Sequence, residues 1–289
     1  MGVYVVTGSA SGMGQAVTLR LRADGHTVVG VDLAGAEVDA DLSTSEGRSA
    51  AIGLLLEKVD GPLDGAVMAA GMGPKRGRER MLVEVNVLGV TDLLEALRPK
   101  LAAAAKAKVV VFGSNSTTST PFVPRMAIKR LVDGDAEGAT RILKRRGSLS
   151  GPASYAASKI AVARWVRRIC VTPEWAGEGI RMNVIAPGPV MTPLLAGQLK
   201  SSTASQVKSF PVPIREYGTP EQLAEWVMTM LSPAADFMVG TVVTVDGGTE
   251  ALLRPDDWPA RLPLRLLPRM GWSMYRAPKR GQVADYSDT

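Results

Sequence analysis

Cysteine and histidine are each present once, as Cys170 and His26, and aromatic side chains make up only 5% of the 289 residues. One cysteine rules out an intrachain disulfide and suits a reducing compartment. One histidine beside one cysteine is too little for a zinc site of the usual ligand set, and no metal is expected. No apolar run approaches the roughly 18 residues that cross a bilayer, so no integral membrane segment is predicted. The first strand-like run begins at Val3, which leaves no room for a leader ahead of it and points to a cytoplasmic protein. His26 sits in the polar turn DGHT and reads as structural.

The formal charge of +6 is unevenly placed. Residues 117–150 hold seven Lys/Arg against three Asp/Glu, and residues 254–289 hold seven against four, so these two segments carry +4 and +3 and the remainder −1. Nucleic-acid binding would need a basic stripe interleaved with aromatics or a recognisable module, and neither is present. No nucleic-acid partner is expected; association through 117–150 stands only as a minor reading.

Apolar strand runs alternate with helical segments along most of the chain. Val3–Thr7, Thr27–Asp32, Leu63–Ala70, Lys108–Gly113, Ile180–Ala186 and Thr241–Asp246 read as strands, with a short run at Glu37–Ala40. Helices are predicted over Gly14–Ala23, Ser45–Val59, Arg80–Ala104, Tyr155–Thr172 and Pro220–Leu231. Strands apolar throughout and separated by helices imply a doubly wound parallel sheet covered on both faces, an α/β fold of the Rossmann type. The expected organisation is one domain over 1–253, a helical insertion at 117–150, and an irregular extension at 254–289 that holds five prolines.

TGSASGMG, Thr7 to Gly14, joins the first strand to the first helix. Gly8 permits the tight turn, Gly12 lets backbone approach a pyrophosphate, and Gly14 allows close helix–strand packing, with Ser11 and Met13 at the helix entry. Asp32 closes the second strand 18 residues beyond Gly14, the distance at which an acid meets the adenosine ribose. Its carboxylate accepts from ribose hydroxyls and repels a 2′-phosphate, which favours NAD over NADP.

Tyr155 and Lys159, in YAASK, lie at i and i+4 on one helix face. An ammonium near a phenol favours the phenolate and brings it towards useful acid–base chemistry. Ser114 follows the strand KVVVFG, at the carboxyl edge where open α/β sheets bind ligands, and its hydroxyl can hold a substrate oxygen beside Tyr155.

Together these residues resemble the short-chain dehydrogenase/reductase family from residue 3 to about 250. The resemblance implies a tetrad of Asn86, Ser114, Tyr155 and Lys159: Tyr155 as acid/base, Lys159 lowering its pKa and holding nicotinamide ribose, Ser114 orienting substrate, and Asn86 holding a relay water. A buried polar residue satisfying backbone would look the same as Asn86 in sequence. Further implied NAD contacts are Thr7, Asp41 and Leu42 around adenine, Ala70 and Gly71 after the third main strand, Pro187 and Gly188 in Asn-x3-Pro-Gly, and Thr192 at the carboxamide. Met68 and Ala69 stand where the family has asparagines. Ser114 and Tyr155 are 41 positions apart, more than the family's usual spacing, which leaves Ser116, Ser148, Ser150 and Ser154 as rival serines.

VDLAGAEVDADLSTSEGR, APGPVMTPLL and the long excursion before YAASK resemble the 3α-hydroxysteroid dehydrogenase/carbonyl reductase branch. That implies an apolar secondary alcohol or ketone as substrate and a homo-oligomer, dimer or tetramer. The basic insertion would alter the usual pairing through the Asn86 and Tyr155 helices. Val190, Met191, Leu194, Leu195, Leu199 and Phe210 suggest an apolar lid over the pocket. The alternative is a non-catalytic NAD-binding regulatory or scaffold protein.

Overall fold

The computed structural model describes residues 1–200, 210–257 and 262–283. Seven strands form one sheet: β1 (Val3–Thr7), β2 (Thr27–Asp32), β3 (Val38–Asp39), β4 (Gly65–Met68), β5 (Lys108–Phe112), β6 (Arg181–Pro187) and β7 (Val242–Val245). Their order is β3-β2-β1-β4-β5-β6-β7, and every pairing is parallel. The chain winds outward from β1 in one direction and from β4 in the other. The gap between them is therefore a topological switch point, where ligands of such sheets bind.

Side chains alternate across the sheet, and each face has its own core. On β5, Val109 and Val111 join one cluster with Leu93, Leu97, Val162 and Val166, from the helices Gly89–Ala103 and Ser150–Ile169. Val110 and Phe112 join the other with Val17, Leu21, Leu223 and Val227, from the helices Gly12–Ala23 and Pro220–Leu231. The expected parallel sheet with helices on both faces is what the chain builds.

Local differences from the sequence reading have physical causes. The run Leu63–Ala70 shortens to Gly65–Met68 because the residues on either side leave the ladder. The helix expected over Arg80–Ala104 divides into Glu79–Val83, a π turn at Glu84–Leu88, and Gly89–Ala103. Such bulges add a residue to the turn and re-aim its side chains, here around Asn86. The Tyr155 helix begins earlier, at Ser150. The insertion contains two helices, Arg125–Val132 and Ala136–Lys144, each with one apolar side. Its Ile128, Leu131 and Leu143 belong to the main core. The extension, read as irregular, instead holds a helix at Leu267–Arg276.

Candidate active site

At the carboxyl end of β1 the glycine turn takes conformations that side chains resist. Gly8 and Gly12 have φ of +69° and +56°, in the left-handed region. A Cβ on Gly14 would run into the Gly8 carbonyl, so the third glycine sets how closely the helix approaches the strand. Ser11 occupies the N-cap position, and its hydroxyl makes no capping bond to the helix. Asp32 braces the turn from the end of β2: one carboxylate oxygen accepts from Ala10 N–H at 2.9 Å and the other from Leu33 N–H at 2.7 Å. Each oxygen keeps lone pairs for a further donor.

These residues open onto a cavity of about 450 Å³. Gly8, Ser11, Gly12, Met13, Gly14 and Asp32 form one wall, Asp41 and Leu42 another, and Ala70, Gly71 and Thr192 the far end. The cradle fits a dinucleotide: a helix N-terminus with no side chain in the way of a pyrophosphate, and an acid positioned for ribose. Thr7 lies below the turn, and its Oγ1 accepts from Ala70 N–H at 3.1 Å. That bond ties β1 to the turn after β4, where Met68 and Ala69 supply no amide side chains. Pro187 and Gly188 do not line this cavity; they line the one beside it.

The second cavity, about 320 Å³, borders the first, with Met13, Thr192 and Leu194 in both walls. Ser114 and Tyr155 face it together with Pro187, Val190, Leu195 and Phe210. Of the expected lid, Val190, Leu194, Leu195 and Phe210 line it, and Met191 and Leu199 do not. The short helix Pro193–Leu199 carries the lining leucines and is capped by Thr192, whose Oγ1 accepts from Leu195 N–H at 3.3 Å.

Despite their separation in sequence, Ser114 and Tyr155 meet. Both side chains line the second cavity, and the Ser114 hydroxyl is close enough to act on the Tyr155 phenol. Two of the rivals are placed elsewhere: Ser150 Oγ donates to Glu79 Oε1 at 2.7 Å, and Ser154 is fully buried with its hydroxyl unpartnered. Ser116 lines the same cavity as Ser114, with its hydroxyl unpartnered. Burial pushes the Tyr155 phenol up, while the Ser114 hydroxyl pulls it the other way, and the net direction is upward. Lys159 Nζ donates to the Phe112 carbonyl at 2.7 Å, and burial brings its pKa down to about 8. The expected acidification of Tyr155 by Lys159 is therefore not expressed in this conformation. The ammonium is turned to the end of β5, and burial outweighs the only influence that lowers the phenol.

Asn86 braces the backbone around it. Its Oδ1 accepts from Met72 N–H at 2.7 Å, and its Nδ2 donates to the Met72 carbonyl at 3.0 Å and to Ser158 Oγ at 3.1 Å. The amide braces the loop after β4 against the Tyr155 helix and is occupied by that task. A Cβ on Gly71 would lie 3.3 Å from Asn86 Oδ1 and 3.5 Å from Lys159 Nζ. Asn86 and Lys159 thus converge on one point of the cavity wall.

Several residues could not be found from local pattern. Arg78 and Met81 line the dinucleotide cavity from a segment far along the chain from Asp32. Arg48, only 5% exposed, donates to the Leu42 carbonyl at 3.1 Å and pairs with Glu84 at 2.9 Å and Asp92 at 2.7 Å, fixing the wall beyond Asp41. Asn115 lines the second cavity and donates to Asp246 Oδ2 at 3.2 Å. Asn183 is a brace as well: it donates to the Met238 carbonyl and accepts from Thr241 N–H, holding β6 to the approach of β7. His26 accepts from Gly2 N–H through Nδ1 at 3.0 Å and packs edge-on against Tyr4, outside the site.

The family model described as enoyl-(acyl carrier protein) reductase matches residues 116–250. Among characterised proteins the chain is similar to 3-alpha-hydroxysteroid dehydrogenase/carbonyl reductase of Comamonas testosteroni, with 36% identity over 89% of this chain and the whole of that protein. It is also 29% identical to cis-4-hydroxycyclohexanecarboxylate dehydrogenase of Sinomonas cyclohexanicum, over 86% of this chain and 97% of that one. A solved structure, the 3-alpha-hydroxysteroid dehydrogenase of Pseudomonas sp. B-0831 complexed with NADH, superposes with a TM-score of 0.82 at 36% identity, covering 88% of this chain and 99% of its own. With its switch-point cavity, glycine turn and paired Ser114 and Tyr155, the chain belongs to the short-chain dehydrogenase/reductase family of NAD(P)-dependent oxidoreductases.

Proposed function

We propose that the protein interconverts an apolar secondary alcohol and its ketone with NAD(H), in the manner of a 3α-hydroxysteroid dehydrogenase/carbonyl reductase. The observation that carries this reading is the convergence of Ser114 and Tyr155 on one cavity that adjoins another, the adjoining one glycine-lined and closed by Asp32, their own walled by Val190, Leu194, Leu195 and Phe210. A ring-bearing substrate with few polar groups suits that second wall.

In this reading the bound nicotinamide supplies or accepts the hydride. Ser114 Oγ holds the substrate oxygen, and Tyr155 Oη gives a proton to it during reduction or takes one during oxidation. With the phenol pushed up by burial, Tyr155 is protonated near neutrality and stands ready as an acid. Oxidation needs the phenolate, so its rate rises with pH, while reduction falls as the phenol empties. Lys159 sits where it can hold a ribose hydroxyl, and Asn86 keeps the Gly71–Met72 wall in place beside it. The sign of Asp32 favours a free 2′-hydroxyl over a 2′-phosphate, although Arg78 puts a cation on the same cavity. Comparing kcat/KM for NADH and NADPH decides between them.

Tyr155→Phe tests the assignment. Turnover of steroid, quinone and aromatic ketone substrates should fall by about a thousandfold or more, within what loss of an acid–base group costs, while NADH binding persists. Retained turnover sinks the role of Tyr155. A wild-type protein that binds NADH yet turns over nothing in such a screen would favour a regulatory or scaffold protein. A homo-oligomer in a reducing cytoplasm suits the buried Cys170 and the family, but the insertion covers helices that members pair through. Pairing through another face is the consequence, and a dimer built on the Tyr155 helices would contradict it.

A further inference from the structure

The match to the family model ends at residue 250, and the extension follows it. Within 262–283 there are five Lys/Arg and no Asp/Glu. The helix Leu267–Arg276 buries none of its residues. Gln282 Nε2 donates to the Val171 carbonyl at 3.3 Å, which rests the extension beside the far end of the Tyr155 helix. At 3.6 residues per turn, Leu267, Met270 and Met274 fall within about 60° of one another on the helix, and Arg269 and Arg276 lie on the opposite side. Trp272, 57% exposed, lies on the arginine side, about 40° around the helix from Arg276, whose guanidinium is 4.6 Å from its ring centre.

We propose that this extension is a surface anchor that lays its Leu267–Met270–Met274 face into an anionic lipid bilayer. Segregated apolar and cationic faces on an exposed helix are features of helices that lie in the headgroup plane. Pro263, Pro268 and Pro278 bound the helix and keep it too short to enter further. Charge decides among occupants. A second copy of the extension would bring five cations against five. Nucleic acid would meet the arginines but offer nothing to three adjacent apolar side chains. Anionic headgroups over acyl chains complement both faces at once. The inference does not depend on the reaction assigned above.

Sedimentation of the full chain with phosphatidylcholine vesicles, with and without about one-third phosphatidylserine, tests it. Binding should be at least roughly tenfold greater to the anionic vesicles and should collapse on raising salt from about 0.1 to 0.5 M. Met270→Ser with Met274→Ser, and separately Arg269→Gln with Arg276→Gln, should each lower it, with an unchanged circular dichroism spectrum. Equal binding to both vesicle types, or full retention by the methionine pair variant, would overturn the proposal. So would tighter binding to duplex DNA or to an acidic protein than to the vesicles.

Discussion

Two basic segments lie outside the sheet, and the fold treats them differently. The insertion is folded into the molecule. Ile128 and Leu131 from one of its helices, and Ala139 and Leu143 from the other, are all but fully buried in the core that also holds Leu93, Leu97 and Val162. The extension carries a comparable apolar repeat at Leu267, Met270 and Met274 and buries none of it. Their charges, +4 and +3, are nearly equal and do not distinguish them. What distinguishes them is burial: the insertion's apolar residues belong to the main core, and those of the extension helix do not. The insertion leaves β5 and returns as the Tyr155 helix, so both its ends are pinned to the sheet. The extension follows β7 and meets the body again where Gln282 bonds the Val171 carbonyl.

The largest effect that would sharpen this contrast is a cavity in the insertion. Leu143→Ala removes a fully buried side chain and should cost about 2–5 kcal/mol of unfolding free energy, as such truncations do in well-packed cores. Urea titration of purified protein measures it. A loss below about 0.5 kcal/mol, the scale of an exposed substitution, would mean that the insertion is as peripheral as the extension.

This contrast also explains what the sequence revealed and what it withheld. Strands apolar throughout, such as KVVVF, announced the parallel sheet, and TGSASGMG with Asp32 announced the switch-point cavity, because each depends on neighbours along the chain. Ser114 could be chosen over Ser150 and Ser154 from strand context alone, and its place beside Tyr155 on one cavity agrees with that choice. Arg48, Arg78 and Asn115 were not legible, since their partners come from distant segments and nothing local marks them. The roles expected of Lys159 and Asn86 had the same weakness. Their residue types were readable, but the Phe112 carbonyl and the Met72 backbone that engage them belong to other turns. The helix in the extension was obscured by its prolines, which break a periodic pattern even when they stand at the ends of a helix rather than inside it.

A smaller effect is expected at the seam where the insertion meets the body. Ser150 Oγ and Gly77 N–H both donate to the buried Glu79 carboxylate. Burial pushes that carboxyl up, but the two donors and the nearby Lys144 outweigh it and hold Glu79 below its ordinary value. A carboxylate depressed in the folded state stabilises above its unfolded pKa, near 4.3, and that contribution fades as pH falls through the folded value. Ser150→Ala should therefore cost about 1–2 kcal/mol at pH 7, with the deficit shrinking below about pH 4 as Glu79 protonates. Denaturant titrations of both proteins at the two pH values give the difference directly. A deficit that stays constant with pH would place its origin in helix initiation at Ser150 and not in the Glu79 bond.

The smallest effect belongs to the extension, and its smallness is the informative part. Met270→Ala removes an exposed side chain from a helix that packs against little, while alanine is the better helix former. The two terms oppose each other, and the change in unfolding free energy should stay within about 0.5 kcal/mol of zero. The same substitution at Leu131 in the insertion should exceed it several-fold, because there the lost methyl groups leave a hole that the sheet cannot close. If Met270→Ala instead cost as much as Leu131→Ala in the same titration, the apolar face of the extension would have to be buried in solution, against this chain or another copy. A concentration-independent cost would identify the first and a concentration-dependent one the second, since only self-association makes stability depend on how much protein is present.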